Sequence, residues 1–358
     1  MNAGSSSVKL RLLGDGDETL GERELAATRT QLDPEELRGA LHAGLGDADV
    51  VAHRIVHGGE RFRSAVRIDA DVQQALRSLS ELAPLHQPKS LAALDAVSAE
   101  LPALPAVACF DTAFHATLPP AASTYALPRA WRERWGLRRY GFHGLSHAWV
   151  ARRAPGLLEV EPDGLRIVSC HLGSGASLCA IAGGASIDTT MGFTPLEGLV
   201  MATRSGSVDP GLLLWLLEHA GVDERRLSSA LEHESGLSAL AGTADMREVV
   251  ARAGAGEGDA RLALDVYAHR LRAGIAAMAA ALGGIDVLAF TGGVGEHSAE
   301  VRAAAADGLG FLGVRLDPER NRSGPPDRRL GRSGAPVAAV VIAAREDLEM
   351  ARQVRALD

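Results

Sequence analysis

The sequence predicts an α/β protein assembled from two related halves, and three observations carry that expectation. Short apolar strand patterns alternate with stretches of helical spacing along the chain, which is the signature of α/β architecture. The alternation pauses at a proline-rich connector around Pro119, Pro120 and Pro128 and then restarts. Each half also has a glycine/serine segment that leads into a strand, at residues 2–7 and again at residues 171–177. A duplicated α/β unit with a cleft between its copies follows from this. No fixed repeat of roughly 20–50 residues is present, so a solenoid is excluded.

The elements follow in order. Residues 8–13 read as a strand that ends in the Gly-Asp turn at 14–17. Residues 48–56 are strand-like and run into His57-Gly58-Gly59. Residues 70–82 have helical spacing that Pro84 stops, and 89–100 are helical again. A short buried strand at 106–110 ends at Asp111. Beyond the connector, 166–170 is a strand, 171–175 a turn and 177–181 a second strand, with Gly183-Gly184 turning into a third at 185–188. Helices follow at 211–220, 225–234 and the alanine-rich 259–282. Residues 285–290 form a strand, and 291–295 a tight turn into a helix that begins near Ser298. Residues 336–342 and 345–357 are the last strand and helix.

Composition narrows the function. The 358 residues are 46% hydrophobic and 23% charged, a globular mix long enough for about two domains. Net charge is −8, aromatics are 4%, and no basic block occurs. A nucleic-acid groove needs phosphate-neutralising charge and stacking platforms, so no nucleic-acid partner is expected. No run of about 18 apolar residues suggests a membrane span. Residues 1–7 lack the basic and apolar regions of a signal peptide. Cys109, Cys170 and Cys179 each sit in an apolar, strand-like setting. They read as reduced core thiols of a cytoplasmic protein.

Glycine-rich turns let the backbone approach a phosphate, and neighbouring N–H groups cradle its oxygens. Three separated turns of this kind point to a polyphosphate ligand, although any one of them also serves a plain hairpin. A P-loop is absent. Residues 308–313 spell G-x-G-x-x-G but follow a helix, so they read as a helix stop. His143 and His147 have i,i+4 spacing without the glutamate of a zinc motif. Arg54, Asp111, Arg204 and Glu346 lie at strand or turn ends. That is where an open α/β sheet faces its ligand crevice; each is also a residue type that makes ion pairs or helix caps.

Two segments then carry a resemblance. Residues 2–9, NAGSSSVK, and residues 139–147, RYGFHGLSH, resemble the two signatures of the acetate kinase family. HRIVHGGE at 53–60, FDTAFH at 110–115, MGFTPLEG at 191–198, TRSG at 203–206 and TGGVGE at 291–296 fall in that family's order. The resemblance implies two ribonuclease-H-like domains of the actin-like ATPase type with an interdomain cleft, at 1–114 plus 348–358 and at 115–347. It implies reversible transfer of phosphate from ATP to acetate with Mg²⁺ or Mn²⁺, and a homodimer formed through the second domain. Propionate or butyrate as substrate, or an Hsp70- or actin-like ATPase, are the alternative readings.

The resemblance also assigns residues. Arg54 is expected to hold the acetate carboxylate, with Val56, Leu85, Phe142 and Pro195 around its methyl group. Asp111, His143 and Arg204 are the expected catalytic residues, and Asn2 and Glu346, with Asp111, serve the metal. Lys9, then His171, Leu172, Gly173, Ser174 and Gly175, then Asp245, Met246 and Arg247, then Gly293, Val294, Gly295, Glu296 and His297 are expected to contact ATP. The chain departs from the family pattern at Ser174 and His297, where asparagine is usual, and at Ala202, Ala344 and Arg345. Met1 directly precedes Asn2 where the family has several apolar residues. This implies a shortened first strand or a start assigned elsewhere.

Overall fold

The computed structural model describes residues 1–3, 7–26, 34–42, 48–81 and 87–357. The chain divides into two compact units, one of Met1–Ala116, Phe142–Trp149 and Arg345–Asp358, the other of Thr117–Gly141 and Val150–Ala344.

The first unit begins with an antiparallel meander, β1 (Asn2–Ala3), β2 (Ser7–Leu13) and β3 (Thr19–Ala26). β4 (Val51–Ile55) then pairs in parallel with β6 (Ala106–Phe110), and β5 (Val66–Arg67) pairs antiparallel with β6 on its other side. Arg54 N–H donates to Met1 O at 3.0 Å, and the Met1 amino group donates to Ala52 O at 2.6 Å. These bonds flank His53 as in a parallel ladder, so the segment leading into β1 lies beside β4.

The strand period of two sorts this sheet into faces. Ile55, Ala108 and Phe110 join Val72, Leu76, Leu91 and Leu94 in one core. Those partners come from the helices Ala70–Ser78 and Gln87–Glu100. Val107 and Cys109, on the other face, pack with Leu145, Met350 and Val354. Asp69 caps the first of these helices by accepting from Val72 N at 2.8 Å. That helix ends at Ser78 and passes into a short 3-10 turn, Leu79–Glu81. The expected stop at Pro84 lies outside the described residues.

The second unit repeats this plan. β7 (Arg166–Leu172), β8 (Ala176–Ala182) and β9 (Ala185–Thr189) form the meander, and β10 (Val287–Thr291) pairs in parallel with β7 and with β12 (Ala338–Val341). β11 (Arg328–Arg329) closes the edge, giving the order β11-β12-β10-β7-β8-β9. The long helix Gly258–Ala281 buries Ala260, Ala263, Tyr267, Leu271 and Ile275. A side chain at Gly274 would press on Leu178, so glycine lets this helix approach β8 closely.

Two expectations are corrected here. His171 and Leu172 belong to β7, because His171 pairs with Ser177 and Leu172 with Ala176; only 173–175 are left as the turn. Residues 291–295 are not a turn: Thr291 ends β10, and the rest open a helix, Gly292–His297. The chain breaks at Ser298, whose hydroxyl caps a separate helix, Ala299–Ala306. The helices Gly236–Ala241 and Met246–Gly254 were not anticipated.

Candidate active site

In the first unit, Arg54 lies near the end of β4 and Asp111 directly after β6. Arg54 pairs in register with Cys109. Alternation therefore sets Arg54 on the face that Cys109 and Val107 share with the helix Glu346–Arg355. Arg54 Nε and Nη2 donate to the two Asp111 carboxylate oxygens at 2.9 and 2.6 Å. Its Nη1 donates to Asn2 Oδ1 at 3.0 Å. Asn2 Nδ2 donates to Glu346 Oε2 at 2.7 Å, and that oxygen lies 3.8 Å from Arg54 Nε. Four residues expected at the site are thus brought together from four segments of the chain.

The electrostatics match this crowding. Burial pushes the Asp111 carboxyl above its ordinary value, the Arg54 guanidinium opposes that, and the charge of Glu346 adds to the rise. Burial works against the Arg54 charge, but Asp111 and Glu346 more than offset it and hold the guanidinium protonated. The group stands as a buried ion pair with a second carboxylate beside it.

His143 follows in the same unit, with φ of 56°, a left-handed conformation that non-glycine residues rarely adopt. It directly precedes the helix Gly144–Leu158. Gly144 N–H donates to Asp111 O at 2.8 Å. Any side chain at 144 would overlap that carbonyl, so glycine is what lets the helix start against the Asp111 backbone. Val56 and Phe142 are buried, and Phe142 meets the His57 ring edge-on at 5.5 Å. Leu85 lies outside the described residues. Lys9, on β2, is exposed, with its ammonium 4.0 Å from Glu24.

In the second unit, Arg204 Nη1 donates to Pro195 O at 2.6 Å, which brings these two expected residues together. Burial lowers the Arg204 pKa, opposed by the charge of Glu232. The segments 171–175 and 291–297 also meet: Thr291 pairs with His171. Gly292 has φ of 77°, and a side chain there would press on Leu172 O. Gly173 N–H donates to Gly175 O at 2.9 Å, and Ser174 O accepts from Ala202 N–H at 3.0 Å. Val294, Gly295, Glu296 and His297 complete the short helix; Glu296 Oε1 accepts from Ala344 N–H at 3.0 Å. Gly293 faces open space on its Cβ side. The Thr291 hydroxyl is buried without a hydrogen-bond partner among the described residues. Asp245 caps the helix Met246–Gly254 and pairs with the exposed Arg247, while Met246 points into the core.

Sequence reasoning missed two supports. Gln87 is fully buried, accepts from His57 N–H and donates to His57 O, both at 3.2 Å. Arg302 is 1% exposed and donates to Gly295 O and Glu296 O at 2.8 and 2.7 Å; burial lowers its pKa to about 10. A lone arginine inside an alanine-rich helix was the available signal for it.

A model of the acetokinase family matches residues 35–352. The chain belongs to the acetokinase family. Its relatives include the acetate kinase of Nostoc punctiforme, 49% identical over 309 residues that cover 86% of this chain and 76% of that protein. The acetate kinase of Deinococcus deserti is 45% identical, over 99% of this chain and 96% of that one. Among solved structures, Porphyromonas gingivalis acetate kinase matches with a TM-score of 0.89 and 34% identity, covering 100% of this chain and 98% of that one. A propionate kinase from Francisella tularensis matches at 0.92 and 33%, covering 98% and 97%. This acetokinase-family member shares their α/β fold and is a kinase that passes phosphate to a carboxylate.

Proposed function

We propose that this acetokinase-family chain transfers the terminal phosphate of ATP to acetate, giving acetyl phosphate and ADP. The observation that carries the reading is the buried Arg54 fork, set among Asp111, Asn2 and Glu346. A carboxylate with a pKa near ~4 is already ionised at neutral pH, so the nucleophile needs no base. The obstacle is one anion attacking another. Phosphoryl transfer is mostly positioning and charge stabilisation. Arg54 uses three of its five N–H groups on Asp111 and Asn2, and the two left, one on each terminal nitrogen, are those it can turn to a substrate carboxylate. His143 and Arg204 stabilise the charge on the transferring group. Val56, Phe142 and Pro195 are the apolar residues we assign to the substrate's methyl end, and Leu85, given the same role by the resemblance, lies outside the described residues. Propionate is the second reading, favoured by the likeness to a propionate kinase; one methylene changes specificity only about 10–200-fold.

Asn2, Asp111 and Glu346 fit a magnesium ion. They are hard oxygen donors, and Glu346 is close enough to raise the Asp111 pKa. Magnesium keeps several waters and uses one or two carboxylates plus substrate phosphates. Bound there, the ion would supply positive charge to phosphate oxygens. Asp111 then serves as an orienting group and not as a base. Lys9, 171–175, 245–247 and 293–297 form the ATP-binding set; the buried Thr291 hydroxyl and the open side of Gly293 support a ligand at the last of these.

Three buried free thiols support a reducing, cytoplasmic setting; burial lifts Cys109 and Cys179 to about 12. Among the described residues no helix is long and apolar enough to cross a membrane. The exposed leucines and tryptophan of the helix Pro210–His219 support a homodimer.

The test is trapping of acetyl phosphate as its hydroxamate from acetate and ATP. Arg54→Ala and Arg204→Ala are each expected to lower turnover by about 10³-fold or more. ATP hydrolysis that ignores acetate, as the main activity, would overturn the reading.

A further inference from the structure

We propose that Glu197 is a positioning residue that sets the direction of the Arg204 guanidinium through the 190–198 loop. This rests on the reading above, in which Arg204 meets the transferring phosphoryl group. Glu197 Oε2 accepts from Tyr125 OH at 2.6 Å, and Oε1 accepts from Arg139 Nη2 at 2.7 Å. Both donors then bind the same loop a second time. Tyr125 OH accepts from Phe193 N–H at 2.9 Å. Arg139 Nη1 donates to Thr190 O and Met191 O, each at 3.0 Å. Gly192 O accepts from Tyr140 N–H at 3.0 Å. The loop is therefore fastened on both sides of Pro195.

Two glycines make room for this. A side chain at Gly192 would overlap the Glu197 carboxylate and the Tyr125 hydroxyl. Gly198 turns the chain with φ of 111°, which glycine alone adopts without strain. At the middle of the fastened loop, Pro195 O holds Arg204 Nη1. Arg204 makes no other side-chain hydrogen bond among the described residues. A neutral carbonyl cancels none of its charge, the Glu232 carboxylate acts on it only at a distance, and its remaining N–H groups have no acceptor among the described residues. Where that carbonyl sits decides where the fork points, and Glu197 decides where the loop sits.

Glu197→Gln tests this. An amide presents an N–H pair where the carboxylate presents an acceptor, so it cannot accept from both Tyr125 and Arg139. A hydrogen bond to a charged group is worth about a tenfold effect or more. The expected result is a fall in kcat of about tenfold, with a smaller change in KM for acetate because Pro195 rides on the same loop. The melting temperature should stay close to that of the parent. The same substitution on an Arg204→Lys background should change kcat by less than about twofold, because lysine has no fork to aim. An equal loss on both backgrounds overturns the inference, since Glu197 would then act independently of Arg204. Parental turnover in Arg204→Lys overturns instead the reading of Arg204 itself. If Glu197→Gln does not fold, Tyr125→Phe carries the same comparison: a several-fold loss of kcat seen only with Arg204 present supports the role, and unchanged kcat overturns it.

Discussion

Arg54 engages all three of its nitrogens inside the protein, two on Asp111 and one on Asn2. Arg204 engages one, on a carbonyl. The first is paired with a buried carboxylate and the second with a neutral carbonyl, so removing them has different consequences for stability. Arg54→Ala leaves Asp111, whose side chain is 2% exposed, without its counter-charge. Breaking such a buried pair costs about 3–5 kcal/mol, and urea unfolding at pH 7 should show it. Burial already pushes Asp111 up, and without Arg54 it rises further above its unfolded value. A raised carboxyl destabilises the fold while ionised and ceases to do so once protonated. The deficit should therefore shrink as pH falls toward the ordinary value of 3.8, and Arg54→Ala with Asp111→Asn should recover part of it. A urea midpoint for Arg54→Ala equal to the parent's would refute the argument.

At the scale of elements, the parallel pair β7 and β10 is fastened at its N-terminal end by one ion pair. Asp286 Oδ2 accepts from Arg166 N–H and Nε at 2.9 and 3.0 Å, and Oδ1 accepts from Nη2 at 2.7 Å. The Arg166 side-chain bond lowers the Asp286 pKa, with burial opposing. A depressed folded value contributes stability above the unfolded value of 3.8, and that contribution is lost as pH falls through the folded value. Both side chains are 37% exposed, so solvent screening holds the effect to about 1 kcal/mol or less. Asp286→Asn should flatten the acid limb of a stability–pH curve below pH about 4 and leave the neutral limb offset by that amount. An acid limb of unchanged slope would show that this carboxylate does not report on folding.

The same scale shows what the residues alone reveal. Arg54 and Asp111 were legible because a strand ending in a charged residue is unusual and has a stated meaning in α/β sheets. The length of β7 was not, because Gly173 suggested a turn while the pairing of Leu172 with Ala176 is a cross-strand property. Gly236 opens a helix with φ of 65° where a side chain would strike Met201 O, a tertiary fact invisible locally. The helix after it was readable in principle, since Asp245 is a regular N-cap. Glu197 and Tyr125 are 72 residues apart, and no local pattern joins them.

For the whole molecule, the two units share one plan: a meander, then two parallel strands, the first of them beside the meander's first strand. A duplicated core explains how the glycine-led segments at 2–7 and 171–177 were readable as a repeat. It does not explain the helix Pro210–His219, which lies outside that common plan. Leu212, Leu214, Trp215 and Leu217 are all at least 36% exposed on this helix, and none of its residues is buried. Single exposed leucines are ordinary, but four exposed large apolar residues on a ten-residue helix with none buried are more than a monomer surface usually shows. Covering what these half-exposed side chains still show is worth a part of the about 1.5–3 kcal/mol that full burial gives each, contributed by both copies against the cost of association. Sedimentation of the parent at micromolar concentration should give twice the chain mass. Leu214→Glu with Trp215→Glu should give one chain mass with helical content retained by circular dichroism. A parent that sediments as a monomer, or a doubly substituted chain that remains a dimer, would remove this helix from the interface.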